Sequence, residues 1–270
     1  MHSFMQLKEV FLMMDFKRLA ESVLTAPGNF ISKEVALLPE LIGMRIYDTP
    51  IFGVADASDP LFTELPTIAS ANLPYFRGPT KWLPEAKRVI SFFLPFSKQV
   101  KTDNMAVLDR PSESWVHGRI DGQKFIAEYC TFLQAELEAN GAKAVVPLLS
   151  PDFWAVKKAG SNPNIPDQSL AFSSCWSERH VAYICGLGTF SLSKGLITKK
   201  GVCGRFGSLV TDAELPVTPR TYSGLYDYCI MCGACAHNCP VGAIDKVHGK
   251  DHYPCTDFVG KTELIYGSPY

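Results

Sequence analysis

The cysteine motif near the C-terminus constrains this chain more than any other feature. It consists of four cysteines and the proline after the last of them: Cys229, Cys232, Cys235, Cys239 and Pro240. A run of C-x2-C-x2-C lets three thiolates ligate three corners of one cubane [4Fe–4S] cluster, provided that the loop is tight. Gly233 keeps that loop small, and Pro240 turns the chain away, so that the fourth thiolate points towards a different metal centre. The motif predicts a redox protein, or part of one.

Zinc is the alternative metal for such a motif, because C-x2-C is also the spacing of zinc sites. Zinc sites rarely place three thiolates in one uninterrupted C-x2-C-x2-C and follow them with C-P, and this favours iron. We interpret His237, which lies inside the motif, as a surface spacer and not as a ligand.

The composition is that of an ordinary globular protein, since 47% of the 270 residues are apolar and 20% are charged. This length suffices for one large core with a small appended module. The formal net charge of −1 gives no support to a nucleic-acid partner, and no run of Lys and Arg suggests one.

The other cysteines and the N-terminus predict a reducing, cytoplasmic setting. Outside the C-terminal region, four cysteines are scattered among apolar residues: Cys130, Cys175, Cys185 and Cys203. A disulfide scaffold looks different, and we interpret Cys175 and Cys185 as buried, inert thiols. The apolar stretch 10–14 is too short to span a membrane and lacks a cleavage site, so no membrane partner is expected.

The hydrophobic pattern predicts alternating helices and strands. Helical spacing runs over 7–24 and, most clearly, over 118–140, where Gly141 is the expected C-terminal cap. The further predictions are strands at 89–94, 144–149 and 205–211, a short helix at 177–186, loop-dominated chain at 45–86 and a linker at 213–228. This alternation indicates an α+β fold, with an α/β core over 1–215 and an iron–sulfur module over 216–270.

A second constellation precedes the cysteine motif. The stretch from Trp176 to Thr198 reads W-S-E-R-H-V-A-Y-I-C-G-L-G-T-F-S-L-S-K-G-L-I-T, and R-F-G-S-L-V-T-D and the cysteine motif follow it. In this order the chain resembles the epoxyqueuosine reductases and their relatives, the cobalamin-dependent reductive dehalogenases, most specifically over 176–244. The resemblance implies a nitroreductase-like α/β core that carries a flat cofactor, beside a ferredoxin-like [4Fe–4S] module. It also makes cobalamin a candidate second cofactor, through which electrons would reach the substrate.

The resemblance further suggests cofactor-binding residues around the G-L-G segment. Gly186 and Gly188 would let the backbone lie against a corrinoid, and Lys194 and Arg205 would contact anionic groups nearby. Read alone, G-L-G requires only a tight turn. A dinucleotide-binding fingerprint would need a third glycine at Ser191, which disfavours a Rossmann site.

Three residues of the helix before G-L-G are the candidate catalytic residues: Glu178, Arg179 and Tyr183. Glu178 and Arg179 fit a solvated helix start equally well. The aspartate that donates a proton in epoxyqueuosine reductases is absent, because residues 172–174 in its neighbourhood read F-S-S. Tyr183 is the candidate replacement, as a tyrosine serves in dehalogenases, although a tyrosine on an apolar helix more often packs in a core.

Two further departures weaken the transfer of a tRNA activity. The glycine and lysine that follow G-L-G in the resembling family fall on Ser191 and Leu192, with Lys194 two residues further on. The RNA-gripping C-terminal repeats of the epoxyqueuosine enzymes have no room before Tyr270.

Ligand counting predicts one cluster in the chain as given. Two cubane clusters need eight thiolates, and after Cys239 only Cys255 remains. Either the chain is a C-terminally shortened version of the resembling family, whose complete chains would hold two clusters, or it holds one cluster with Cys239 or Cys255 at the fourth corner. We favour a shortened C-terminus, because residues 261–270 approach another turn and then end.

The sequence supports three functional hypotheses. The leading one is an iron–sulfur oxidoreductase that passes electrons from a [4Fe–4S] cluster to a substrate, with cobalamin as a candidate carrier. The second is a ferredoxin-like electron-transfer partner without catalysis of its own. The third is a tRNA epoxyqueuosine reductase that obtains its RNA grip elsewhere. The expected partners are an electron donor of ferredoxin or flavodoxin type and a small-molecule or tRNA substrate.

Overall fold

The computed structural model describes residues 14–68 and 71–266, with side chains as far as Lys261. Its helices and strands follow one another in this order: α1 (Phe16–Ser22), β1 (Ile51–Asp56), α2 (Leu61–Glu64), β2 (Arg88–Pro95), α3 (Lys98–Ala106), α4 (Glu113–Ala139), β3 (Ala144–Val145), β4 (Ala155–Val156), β5 (Ser173–Ser174), α5 (Glu178–Ile184), β6 (Gly188–Phe190), β7 (Leu196–Thr198), β8 (Gly204–Thr211), α6 (Ala234–His237), β9 (Ile244–Asp245), β10 (Gly249–Lys250) and α7 (His252–Tyr266). This mixture confirms the α+β class. No helix among the described residues combines the length and the apolar character that crossing a membrane requires.

A four-stranded antiparallel sheet in the order β1-β2-β8-β3 forms the centre of the core. β2 and β8 pair along their whole length, from Arg88 opposite Thr211 to Pro95 opposite Gly204. Every residue of β2 after Arg88 is buried, as the continuous apolar run at 89–94 indicates. The predicted strands at 89–94 and 205–211 are therefore confirmed.

Helices cover both faces of this sheet. α4 packs on one face, and the residues predicted to line its inner side are all buried there: Phe125, Tyr129, Leu133 and Leu137. α5 packs on the other face, where Val181 contributes to a second cluster with Phe93 and Val210. Because successive side chains of a strand point to opposite faces, β2 and β8 contribute to both cores.

Local caps fix both ends of α4. The helix begins at Glu113, ahead of the predicted Gly118, because the Ser112 Oγ accepts a hydrogen bond from the Trp115 N–H at 3.2 Å. At the other end Gly141 adopts a φ of +83°, and its N–H donates to the Glu138 carbonyl at 2.9 Å. The predicted left-handed C-terminal cap is confirmed.

We expect Ser112→Ala to lower the free energy of unfolding by about 1 kcal/mol, because the Trp115 N–H loses its acceptor. Chemical denaturation followed by far-ultraviolet circular dichroism measures this change. Ser223→Ala, at an exposed loop serine, is the matched control and should change stability by less than about 0.5 kcal/mol. Equal effects of the two substitutions would contradict the role of Ser112 as a cap.

A tight turn joins α5 to the hairpin of β6 and β7. Gly186 has a φ of +84°, in the left-handed region that favours glycine. Gly188 pairs with Thr198, and a Cβ added to Gly188 would overlap the carbonyl oxygen of Ile197. The packing of the chain itself therefore requires both glycines of G-L-G.

Two sequence predictions differ from the structure, and a third lies partly outside the described residues. Residues 45–86, predicted to be loop-dominated, contain the edge strand β1 and the short helix α2. The strand predicted at 144–149 is only the two-residue β3, because Pro147 lacks a backbone donor and begins a 3-10 turn. The helix predicted at 7–24 falls partly outside the described residues, and its described part is α1.

The connection between the core and the iron–sulfur module is anchored to the sheet. The Thr218 N–H donates to the Val54 carbonyl at 2.8 Å, and the Val54 N–H donates to the Thr218 Oγ1 at 3.0 Å. Part of the segment 213–228, predicted to be a linker, therefore runs beside the edge strand β1.

Candidate functional site

The cysteine motif lies on a loop that contains two left-handed residues. Met231 has a φ of +52° and Gly233 a φ of +79°, and α6 begins immediately afterwards. These conformations bend the chain sharply between Cys229 and Cys235. The spacing of the cysteines predicts such a tight loop.

The thiols of the motif are accessible and are not packed into the core. Cys232 is exposed, and the other three are half-buried. The Cys239 Sγ accepts a hydrogen bond from the Ala243 N–H at 3.2 Å, and hydrogen bonds of this kind tune cluster sulfurs. In the part of the chain that the structure describes, no three His, Cys, Asp or Glu side chains converge closely enough to hold one metal ion. The fit to a [4Fe–4S] cluster rests on the soft thiolate donors and their spacing.

A cavity of about 680 Å³, here called the main cavity, lies between the core and the module. Its size is typical of a small-molecule site. The core contributes Ser177 and Phe190 to its wall, and the module contributes Tyr226 and Met231. Met231 stands between the first two cysteines of the motif, so the loop that carries the thiols also forms part of the cavity wall.

The wall of the main cavity is rich in basic residues. They are Arg179, His180, Lys194, Lys246, His248 and His252. Among the described residues that line the cavity there is no Asp or Glu. The potential inside the cavity is therefore positive, and a concave site of low dielectric concentrates such a field.

Arg179 and His180 carry the electrostatics of the core side of this cavity. The Arg179 side chain is solvent-accessible although protein atoms surround it, because it projects into a concave space. Desolvation, followed by the nearby charge of Arg119, lowers the pKa of Arg179. Desolvation and then the Arg179 charge lower the pKa of His180 to about 4, so its imidazole is neutral at pH 7. The Ser177 Oγ lies 2.8 Å from the His180 Nδ1.

A stacked pair of rings on the wall of the main cavity joins the core to the module. The rings of Phe172 and His252 lie 4.8 Å apart at 23°, and Tyr253 meets Phe172 edge-on at 5.0 Å. Phe172 adopts a φ of +51°, which is strained for a bulky residue and is often found at functional sites. Desolvation, followed by the charges of Lys194, Lys250 and Arg179, lowers the pKa of His252 to about 4.

Glu178 points into the core, away from the main cavity. Both of its carboxylate oxygens are buried, and neither has a hydrogen-bond partner. Burial raises the pKa of Glu178 to about 7. The Ser208 hydroxyl, which accepts from the Trp176 Nε1 at 2.9 Å, is near enough to offset part of this rise but not in place for a full hydrogen bond. The adjacent residues Glu178 and Arg179 of α5 therefore face different surroundings, the core and the main cavity respectively.

Tyr183 and Arg205 lie outside the described wall of the main cavity. The Tyr183 hydroxyl donates to the Ser223 carbonyl at 3.2 Å, its ring is buried, and burial raises its pKa. The Arg205 guanidinium donates to the Gln123 side chain. The structure brings neither side chain together with Arg179 at the cavity.

The two glycines of G-L-G also lie away from the main cavity. Gly186 lines a second cavity of about 640 Å³ beside β1, and Gly188 is enclosed in the β6–β7 hairpin. The glycine turn, predicted to line the main cavity, is not among its described lining residues, because Gly186 faces the second cavity and the hairpin encloses Gly188. Lys194 does lie on the wall, as predicted.

Cys255, the other candidate for a fourth cluster ligand, lies on α7 and is half-buried. It is near enough to Arg179 for a thiolate there to raise the pKa of that guanidinium. The structure therefore places Cys255 on the side of the module that faces the core.

The described residues do not fit the expected corrinoid. Gly186 and Gly188, which would cradle a flat cofactor, are turned away from the main cavity. The volume of about 680 Å³ lies within the range of about 300–1,000 Å³ for drug-sized ligands, and cobalamin is much larger than these.

Sequence reasoning missed Phe172, Lys246 and His252 as cavity residues. No local motif marks Lys246 or His252, which reach the cavity only through the packing of the module on the core. The resemblance pointed to the neighbourhood of Phe172, where the epoxyqueuosine reductases have their aspartate. Nothing in the sequence indicated its strained backbone.

A family profile described as a 4Fe-4S binding domain matches residues 225–245. The chain carries an iron–sulfur module. This match spans the cysteine motif and confirms the C-terminal ferredoxin-like part of the predicted fold. No curated protein matches the chain.

Solved structures similar to the chain include members of two groups of enzymes. Epoxyqueuosine reductase from Streptococcus thermophilus has 14% identity and a TM-score of 0.42, over 86% of this chain and 53% of that one. An epoxyqueuosine reductase with an epoxyqueuosine-modified tRNA-Tyr stem loop has 16% identity and a TM-score of 0.43, over 85% of this chain and 53% of that one. A reductive dehalogenase, whose structure is described as suggesting a mechanism for B12-dependent dehalogenation, has 18% identity and a TM-score of 0.46, over 72% of this chain and 23% of that one.

These are the two enzyme groups that the sequence resembles. The chain spans about half the length of the epoxyqueuosine reductases that it matches, and 23% of the dehalogenase.

Proposed function

We propose that the chain is an iron–sulfur oxidoreductase of the cytoplasm that passes electrons from a [4Fe–4S] cluster to a substrate in the main cavity. The observation that carries this proposal is the double use of one loop. Met231, inside the cysteine motif, lines the main cavity, so an electron leaving the cluster has only a short distance to cross. Cys229, Cys232 and Cys235 would hold the cluster, with Cys239 or Cys255 at the fourth corner. The cluster supplies one-electron transfer when it is bound.

The residues of the chain would handle charge and protons at the cavity. Arg179 and Lys194 would offset the negative charge that an incoming electron brings to the substrate. His180 and His252 are held neutral at pH 7, so neither adds a further positive charge before the reaction. An external electron donor of ferredoxin or flavodoxin type is part of this proposal.

Three other functions are alternatives to direct reduction. Electrons could pass through cobalamin, but the main cavity is too small for a corrinoid, which does not favour this route. The chain could also serve as an electron-transfer partner without its own substrate. Such a protein needs no ligand cavity, whereas this chain has a positively charged one beside the cysteine motif. A tRNA epoxyqueuosine reductase activity is a third alternative. The cationic wall would attract the phosphates of a tRNA, but the cavity is too small to contact more than a small part of one.

Anaerobic reconstitution followed by iron, sulfide and cobalt analysis tests the proposal. We expect about four irons and four sulfides per chain, and no cobalt after incubation with hydroxocobalamin and gel filtration. Stoichiometric cobalt with a corrinoid absorption band would favour the cobalamin route. Stoichiometric zinc without iron would overturn the proposal.

A further inference from the structure

Three cations of the main cavity come from separate segments and converge only in the fold. Arg179 lies in the first turn of α5, Lys194 in the turn between β6 and β7, and Lys246 in the turn between β9 and β10. Among the described residues, none of the three forms an ion pair with a carboxylate. Like charges gathered in a concave site repel one another, and a bound anion relieves that repulsion.

Two of these cations have defined surroundings. Lys194 adopts a φ of +59°, and its N–H donates to the Ser191 carbonyl at 2.8 Å, so the turn fixes the start of its side chain. The Lys246 side chain lies over Gly233 of the cysteine motif so closely that a Cβ there would overlap it. One cation is thus seated against the loop that carries the thiols.

Apolar and aromatic side chains make up much of the rest of the wall, beside the polar Asn72, Ser174 and Ser177. Phe172, Phe190 and Tyr253 supply flat faces, and Leu73 and Leu192 fill the space between them. Such surfaces bind a planar apolar body, whereas the cations select a negatively charged group.

We propose that the main cavity binds a planar organic anion, an aromatic body bearing an oxyanion group, with Arg179 and Lys194 as its charge contacts. This inference rests on the proposed function, for which it names the substrate class. The size of the cavity suits a molecule of this kind as a free small ligand.

Binding of 1-naphthyl phosphate to the reconstituted protein, followed by calorimetry under anaerobic conditions, tests the inference. Neutral 1-naphthol is the matched ligand without the charge, and we expect it to bind at least about tenfold more weakly. Arg179→Gln should weaken binding of the phosphate by about tenfold, which corresponds to about 1.4 kcal/mol. Lys194→Asn should do the same, and asparagine tolerates the left-handed backbone there.

Lys98→Gln is the matched control, because Lys98 is exposed at the start of α3 and lines neither cavity. It should leave the affinity unchanged, and the circular dichroism spectrum of each variant should match that of the wild type. Equal affinity for the phosphate and the alcohol, or unchanged affinity in both Arg179→Gln and Lys194→Asn, would overturn the inference. Displacement of the probe by a tRNA stem loop at concentrations where inorganic phosphate has no effect would overturn it in favour of RNA.

Repeating the titration with cluster-free protein separates this inference from the proposed function. Charge-dependent binding by a protein that takes up no iron would support the anion site and reject the iron–sulfur oxidoreductase. Full iron loading without charge-dependent binding would reject the anion site alone.

Discussion

Replacing Cys232 with Ser is expected to remove nearly all of the iron–sulfur absorption of the reconstituted protein. Cys232 is the middle thiolate of C-x2-C-x2-C, and without it the loop offers only two thiolates to one cluster. A serine hydroxyl is a hard, weakly acidic ligand and replaces a soft thiolate poorly. Iron per chain and the broad absorption at the edge of the visible region should both fall, by about tenfold or more.

Cys203→Ser is the matched control for this substitution. Cys203 is an exposed thiol like Cys232 but lies outside the cysteine motif, so its loss should leave the iron content unchanged. Cys239→Ser and Cys255→Ser then identify the fourth corner, because only the ligand should reproduce the loss. Full iron retention by Cys232→Ser, or an equal loss in Cys203→Ser, would contradict the ligand assignment.

Local patterns explain which features the sequence predicts well. The tight cysteine loop depends on Gly233 and on thiols a few residues apart, and α4 depends on its own apolar spacing and on Gly141. β2 is a nearly continuous apolar run, which is recognisable without knowledge of its partners. In each case the decisive residues are neighbours in the sequence.

The strand β1 shows why other elements were missed. Its central Gly53 interrupts the apolar pattern, and glycine is usually rare in strands. The structure requires that glycine, since a Cβ there would overlap the Cys185 carbonyl oxygen at the end of α5. A contact between two segments distant in the sequence therefore requires a glycine that made this strand look like a loop.

The main cavity could not be predicted for a related reason. Its cations belong to α5, to the turn before β7 and to the turn before β10, and no spacing in the sequence joins them. Glu178 and Arg179 were both candidate catalytic residues, as members of the helix before G-L-G. On a helix, adjacent residues point about 100° apart, and here one faces the core while the other faces the cavity.

The buried carboxyl of Glu178 is expected to make stability depend on pH. Its pKa is about 7 in the folded protein and ordinarily 4.5, so the folded state binds this proton more tightly than the unfolded state does. The resulting stability is fully present below about pH 4.5 and is lost as the pH rises through 7. Since one pKa unit corresponds to about 1.4 kcal/mol, the loss across this window is about 3 kcal/mol.

Glu178→Gln should abolish this dependence, because glutamine has nearly the same shape and cannot ionise. His180 acts in the opposite direction: its pKa is lowered to about 4, so its stability contribution is lost as the pH falls below its ordinary 6.5. That contribution is common to both proteins and cancels when the wild-type curve is subtracted from the variant curve.

Urea unfolding at pH values from about 5 to 8, under conditions that keep the cluster state constant, gives this difference curve. It should rise in favour of Glu178→Gln by about 3 kcal/mol towards high pH, whatever constant offset the buried amide introduces. Glu113→Gln is the matched control, since Glu113 also occupies a first helical turn but is only half-buried. Its difference curve should stay flat within about 0.5 kcal/mol. A flat curve for Glu178→Gln as well would mean that water or another group reaches this carboxylate, and that Glu178 is ionised in the folded protein well below pH 7.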